Sequence, residues 1–173
     1  HVLFDVVTPM QTVAGECNHE SKNLYAEALL KHMGNRRTRQ PGSWKNGGDA
    51  LKTIIEERTG SRLDGLVIAD GSGMSRNNRI SPELMTRWLA TFSDDSPTSR
   101  AFRTSLPSPG SGTLETRFAN RSLHGCRVLA KTGYINGVSA LSGLVIAPDG
   151  RSYAFSVMGN DLKNIRRCKQ LQE

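Results

Sequence analysis

The sequence predicts an α+β protein in which helices over the earlier part pack on an antiparallel sheet formed near the C-terminal end. Apolar residues recur at helical spacing between Leu24 and Met33, and from Ser152 to Val157 apolar and small polar residues alternate. Between these, Pro148-Asp149-Gly150 separates two strand-like runs, which makes those runs an antiparallel hairpin. Helices, then a meander, then a closing helix is the order of an α+β domain with helices laid on a sheet.

Taken in order, residues 8–20 mix polar and apolar types and end in His19-Glu20-Ser21, a helix-start signal. Leu24, Ala28 and Met33, with Tyr25 and Leu29 beside them, form an apolar stripe, and Gly34 predicts its stop. Residues 35–48 are rich in Arg, Gly, Pro and Asn and read as a loop; 49–58 read as a second helix ended by Gly60. Leu63 to Ala69 is a short apolar, β-branched run and predicts an extended segment leading into the Gly/Ser loop Asp70–Asn78. Ser81-Pro82-Glu83 places a cap, a first-turn proline and a first-turn acid ahead of a helix over 84–92. Residues 94–112 are broken by Pro97, Pro107 and Pro109 and read as irregular, with a short helix around Arg100-Ala101-Phe102. Arg127–Ala130 begins one strand, 140–147 a second and 151–158 a third, and 161–172 fits a terminal helix.

Composition excludes some classes and leaves others open. A chain of 173 residues with 36% hydrophobic content buries one core, so one domain or the larger part of one is expected. It holds no apolar run of about eighteen residues, so no transmembrane segment is predicted. The net charge of +7 favours anionic partners without choosing among them, and arginine groups such as Arg36-Arg37 and Arg166-Arg167 read as solvated faces. Aromatic residues are not interleaved with these groups, so no nucleic acid partner is expected. Cys17, Cys126 and Cys168 are odd in number and lack Cys-x-x-Cys spacing, which argues against a zinc site and a redox pair; neither metal nor cofactor is expected.

Two short motifs carry chemistry. Lys131-Thr132-Gly133 on a strand offers an ammonium and a hydroxyl to a ligand carboxylate, and a glycine that lets a ligand approach the strand edge. Ser21-Lys22-Asn23 supplies a hydroxyl able to relay a proton and an amide able to bind a carbonyl, although a serine there also reads as an ordinary helix cap. Ser-x-x-Lys, Ser-Asp-Asn and Lys-Thr-Gly in that order form the signature of acyl-serine enzymes. None of the lysines has a serine three positions before it, so the first motif is absent from the chain. Asp70, Ser72 and Ser75 read as a turn that bonds its own backbone rather than as a nucleophile set. His19, His32 and His124 have no triad or metal spacing and read as surface or capping residues.

With Ser21-Lys22-Asn23-Leu24-Tyr25-Ala26-Glu27, the loop from Asp70-Gly71-Ser72-Gly73 to Ser81-Pro82, and Ala130-Lys131-Thr132-Gly133 through Gly143, the chain resembles the peptidase S13 family. These are penicillin-binding protein 4-type D-alanyl-D-alanine carboxypeptidases and endopeptidases. The resemblance runs from about residue 8 to about residue 165, with Lys22 standing where the signature has aspartate. It implies a penicillin-binding protein/β-lactamase-like transpeptidase fold with its N-terminal part missing: residues 1–125 a mainly helical lobe, 126–173 sheet strands and closing helix, and an open sheet edge where earlier strands belong. It implies Ser21, Asn23 and Lys131 as catalytic residues, and Thr132, Gly133 and the amide near Ile135 as substrate-binding groups. Arg117 is a further candidate, lining a pocket for the substrate side chain. The implied partners are peptidoglycan peptides ending in D-Ala-D-Ala, β-lactams as inhibitors, and the missing N-terminal portion of the same protein; the implied location is periplasmic or otherwise extracytoplasmic. A β-lactamase or esterase of the same fold is the alternative, weakened by the absence of Glu-x-x-Leu-Asn, and a non-catalytic basic wall- or nucleic-acid-binding module is another.

Overall fold

The computed structural model describes residues 3–4, 6–119 and 121–173. Helices α1 (Met10–Asn18), α2 (Asn23–Thr38), α3 (Trp44–Thr59), α4 (Pro82–Ala90) and α5 (Pro97–Ser105) come first. Strands β1 (Arg127–Ile135), β2 (Val138–Ile146) and β3 (Ser152–Gly159) follow, and α6 (Ile165–Gln172) closes the chain.

Serine caps set three of the helix starts. Ser43 accepts from the Asn46 amide while the Asn46 side chain accepts from the Ser43 amide, a reciprocal pair that satisfies two otherwise orphaned donors of α3. Ser81 and Ser96 each cap a helix whose first residue is proline, where the missing N–H costs nothing. That second pair turns Pro97 from an expected breaker into the start of α5, and the region 97–105 is a regular helix rather than irregular chain.

Gly34 does not stop α2. The helix continues to Thr38 and ends at Arg39 with φ 60, because Gly34 is a contact residue: a Cβ there would strike Asn46 Oδ1 and lie 2.6 Å from the Gly47 amide. Residues 44–48, expected in a loop, therefore form the start of α3 after the Ser43 cap, docked against α2 through glycines. The buried stripe of α2 is also rotated from the expected one. Leu30 and Gly34 are buried, whereas Leu24 is 78% exposed. Gly60, at φ 60, ends α3 as expected.

Two apolar clusters hold the layers. Ile55, Leu66 and Leu84 join α3, the 63–69 segment and α4, with Ile68, Ile80 and Trp88 packed on them. The 63–69 segment is extended but forms only an isolated bridge, Val67 to Arg79, rather than a strand of the sheet. Leu114, Phe118, Val128, Ala130 and Leu141 form the second cluster. Fully burying each of the larger side chains contributes about 1.5–3 kcal/mol.

The sheet has the order β1-β2-β3, antiparallel throughout, and among the described residues β3 pairs on one side only. Strand alternation gives it two faces. Val128, Ala130, Leu141 and Phe155 face the cluster of Leu114 and Phe118. Leu129, Lys131 and Gly133, with their partners Leu144, Ser142 and Ala140, lie on the other face, toward α4.

Candidate active site

The site begins with a loop that is locally unfavourable. Between α1 and α2, Ser21 has φ 56, a left-handed conformation that costs a non-glycine residue roughly 1–3 kcal/mol and persists only where its surroundings enforce it. They do so from several directions. Asn18 donates to Ser105 Oγ at 2.8 Å, the Lys22 amide donates to the Glu16 carbonyl at 3.1 Å, and Lys22 forms an ion pair with Glu16. Gly112, itself at φ 50, packs so closely beneath that a Cβ would sit 2.6 Å from the His19 carbonyl.

The result is that Ser21 caps nothing. The position before α2 is Lys22, with no side-chain cap, and the Ser21 hydroxyl instead accepts a hydrogen bond from Lys131 Nζ at 2.8 Å. Residues 110 apart in sequence are thereby joined across one cleft. Asn23, the first residue of α2, is exposed beside it.

Lys131 projects from β1 and also donates to the Thr132 carbonyl at 2.7 Å. Burial pushes its ammonium below the ordinary lysine value, opposed by the nearby Cys17 sulfur. The same burial pushes the Cys17 thiol up, opposed by the Lys131 charge. Gly133 is exposed, and a Cβ there would meet only the Ala140 Cβ, at 3.4 Å. Nothing among the described residues demands a glycine at this point, so the strand edge is open here.

The edge amide is not the expected one. The Ala130 amide points outward, to the Pro107 carbonyl at 3.1 Å, so alternation turns the amides of Thr132 and Tyr134 outward too. The Ile135 amide points into the β1–β2 ladder by the same alternation, so the outward-pointing amide nearest to it is that of Tyr134.

Arg117 lies elsewhere. It is 8% exposed and ion-paired with Glu173, and its guanidinium donates to Gln172 Oε1, which also accepts from Ser139. Ser139 is on the sheet face away from Lys131, so Arg117 pins α6 to the back of the sheet and lines no ligand pocket beside Lys131.

Ser21 and Lys131 thus come together, Thr132 and Gly133 line the same cleft as Lys131, and Asn23 follows two residues after Ser21; Arg117 lies apart. Lys131, Thr132 and Gly133 border a mostly apolar cleft of about 410 Å³ that also takes in Asn18, Trp88 and Met158. It adjoins, at Leu106, a more polar cleft of about 600 Å³ lined by Arg100, Arg103 and Arg127. Cys17 and Asn18 also belong to this neighbourhood, and no motif in the sequence marks either of them.

The chain matches the D-Ala-D-Ala carboxypeptidase 3 (S13) family over residues 2–172. It is 37% identical over 148 residues to a D-alanyl-D-alanine carboxypeptidase of Actinomadura sp. (strain R39), a match covering 81% of this chain and 26% of the relative. It is 34% identical to penicillin-sensitive carboxypeptidase A of Dictyostelium discoideum, covering 91% of this chain and 31% of that one. The chain therefore spans only about a third or less of these curated relatives. Among solved structures, penicillin binding protein 4 of Haemophilus influenzae, complexed with a β-lactam, superposes with a TM-score of 0.80 at 25% identity, covering 95% of this chain and 39% of that chain. A β-lactamase of Vibrio parahaemolyticus superposes with a TM-score of 0.68 at 16% identity, over 95% of this chain and 62% of that one, which shows a shared fold.

Proposed function

Since the chain belongs to the D-Ala-D-Ala carboxypeptidase 3 (S13) family, we propose that it supplies the ligand-binding walls of a serine-type D-alanyl-D-alanine carboxypeptidase or endopeptidase. In this reading it is the C-terminal portion of one penicillin-recognising domain, residues 1–125 contributing the helical lobe and 126–173 the strands and closing helix. The nucleophile belongs to a Ser-x-x-Lys segment outside these 173 residues, and the adjoining clefts along the Lys131 face of the sheet are where that segment packs.

The nucleophilic serine attacks the carbonyl between two D-alanines while its paired lysine takes the hydroxyl proton. Lys131 and Thr132 hold the terminal carboxylate, and Asn23 binds a carbonyl of the peptide. The Tyr134 amide and the nucleophile's own amide stabilise the oxyanion; losing one such donor costs about 10²–10³ in rate. As the C–N bond breaks, the departing D-alanine amine receives its proton through the Ser21 hydroxyl, and water then hydrolyses the acyl-enzyme. A β-lactam presents a carboxylate to the same Lys131 and an amide to the same nucleophile, which makes it an inhibitor. Peptidoglycan as substrate places the protein in the periplasm or otherwise outside the cytoplasm; no helix among the described residues is long and apolar enough to cross a membrane.

The observation that carries this reading is the 2.8 Å hydrogen bond from Lys131 Nζ to Ser21 Oγ, made by a left-handed serine that leaves the helix start uncapped. Labelling with a fluorescent penicillin tests it. A longer chain with a Ser-x-x-Lys segment ahead of His1 takes the label, and the 173-residue chain alone does not. Labelling of the short chain, or no labelling of the longer one, contradicts the reading.

A further inference from the structure

Glu27 takes no part in the chemistry above, yet its carboxylate collects four donors. Oε2 accepts from the Trp44 indole at 2.7 Å and the Gly71 amide at 3.2 Å. Oε1 accepts from the Ser72 amide at 3.0 Å and the Ser72 hydroxyl at 2.6 Å. Burial alone would raise the Glu27 carboxyl, but the bonds from Ser72, Trp44 and Gly71 outweigh it and hold the group below its ordinary value. One carboxylate on α2 thus ties together the start of α3 and the loop 70–78.

The loop reaches the opposite wall of the cleft. Inside it, Asp70 accepts from the Gly73 and Ser75 amides at 2.8 and 2.6 Å and from Asn78 Nδ2 at 2.7 Å, which makes it rigid. At one side Gly71 presses on α2 so closely that a Cβ would sit 2.5 Å from the Ala26 carbonyl. At the other, Arg76 donates to the Asn136 carbonyl at 2.7 Å, in the turn that leaves β1. Glu27 stands four residues after Asn23, on the same face of α2.

We propose that Glu27 is a positioning residue: it clamps the rigid loop 70–78 to the helix bearing Asn23 and, through Arg76, sets the distance between that helix and the Gly133 end of β1. That this gap receives a D-alanyl peptide rests on the function proposed above; the clamp itself does not. Clamping a preformed loop serves binding rather than bond cleavage, because the loop holds the walls and touches no reacting atom. Glu27→Gln breaks the clamp with little change of size, since its NH2 would face donors that need an acceptor.

Amide hydrogen exchange on the 173-residue chain tests the clamp without ligand or nucleophile. In Glu27→Gln the amides of residues 71–78 exchange about tenfold faster or more, while those of α3 and the sheet keep their protection. Combining it with Ser72→Ala adds little further, because both variants break one unit. Unchanged loop protection, protection lost evenly along the chain, or additive effects of the two variants would overturn the proposal. In a longer chain bearing the Ser-x-x-Lys segment, Glu27→Gln weakens apparent penicillin affinity about tenfold and leaves the limiting acylation rate within about twofold. A fall in limiting rate with affinity intact would equally overturn it. Failure of the wild-type chain to be acylated at all would sink the carboxypeptidase reading and leave the exchange result standing.

Discussion

Gly143 sets the spacing of the strands that carry the site, and Gly143→Ala measures how rigid that spacing is. It pairs with Ala130, the residue before Lys131, and both are buried on the sheet face away from the cleft. A Cβ on Gly143 would lie 2.6 Å from Ala130 Cα and Cβ and closer still to the Leu129 carbonyl, where real Cβ contacts below 3.0 Å essentially never occur. The obstacles are backbone atoms of a paired strand, not a flexible side-chain tip, so β1 must move. Overpacking of this kind costs about 1–3 kcal/mol. For a domain of this size each kcal/mol lowers the melting temperature by roughly 2–4 °C, so a fall of roughly 2–12 °C is expected. Thermal unfolding followed by circular dichroism reads it directly, and urea unfolding with an unchanged slope confirms that stability alone has changed. A variant melting within a degree of the wild type would show that the close approach of β2 to β1 is not what fixes the strand carrying Lys131.

Gly15 in α1 provides the opposite case: a Cβ there meets nothing, so Gly15→Ala raises stability by about 0.5–1 kcal/mol, and a lower melting temperature would contradict this. Ser43→Ala removes the reciprocal cap of α3 and costs about 0.5–2 kcal/mol in urea unfolding; an unchanged midpoint would show the cap to be redundant. Burial lowers the Lys131 pKa, so the unfolded chain binds this proton more tightly than the folded one. The stability of the wild type relative to Lys131→Met therefore rises as pH climbs from the lowered value toward the ordinary lysine value of 10.5, and is flat below and above that window. A relative stability that falls with pH across the window would mean that the ammonium is better accommodated in the fold than in water.

Where a single local signal governed an element, the chain could be read directly. Ser81-Pro82-Glu83 predicted α4, Gly60 the end of α3, and Pro148-Asp149-Gly150 the turn between β2 and β3, because cap and turn chemistry acts within a few residues. Pro97 was misread for want of the same test: Ser96-Pro97 repeats the Ser81-Pro82 pattern. Asn136-Gly137 between strands was likewise an available hairpin signal, and Gly137 takes φ 78 there. Gly34 could not be read locally, since only the approach of α3 distinguishes a packing glycine from a stop.

The site shows the same division. Lys131-Thr132-Gly133 and Ser21-Lys22-Asn23 were legible as motifs, but the positive φ at Ser21 and the burial of Lys131 against Cys17 depend on tertiary packing. Arg117 carries no motif of its own, and its burial requires a partner for its charge, which Glu173 and Gln172 provide behind the sheet. Glu27 follows Ser21-Lys22-Asn23 in sequence and yet is silent there, because an acceptor of four donors is invisible until the glycine loop that brings Gly71 and Ser72 to it has folded.

The central claim is that Ser21 and Lys131 act as one unit around a carboxylate-bearing ligand, and a double-mutant cycle measures this most directly. Rates of acylation by a fluorescent penicillin are compared for Ser21→Ala, Lys131→Ala and the double variant in a longer chain carrying the Ser-x-x-Lys segment. The account predicts a coupling of about 1–3 kcal/mol, with the double variant scarcely slower than the worse single one. Effects that simply multiply would mean the two side chains work independently, and would contradict it.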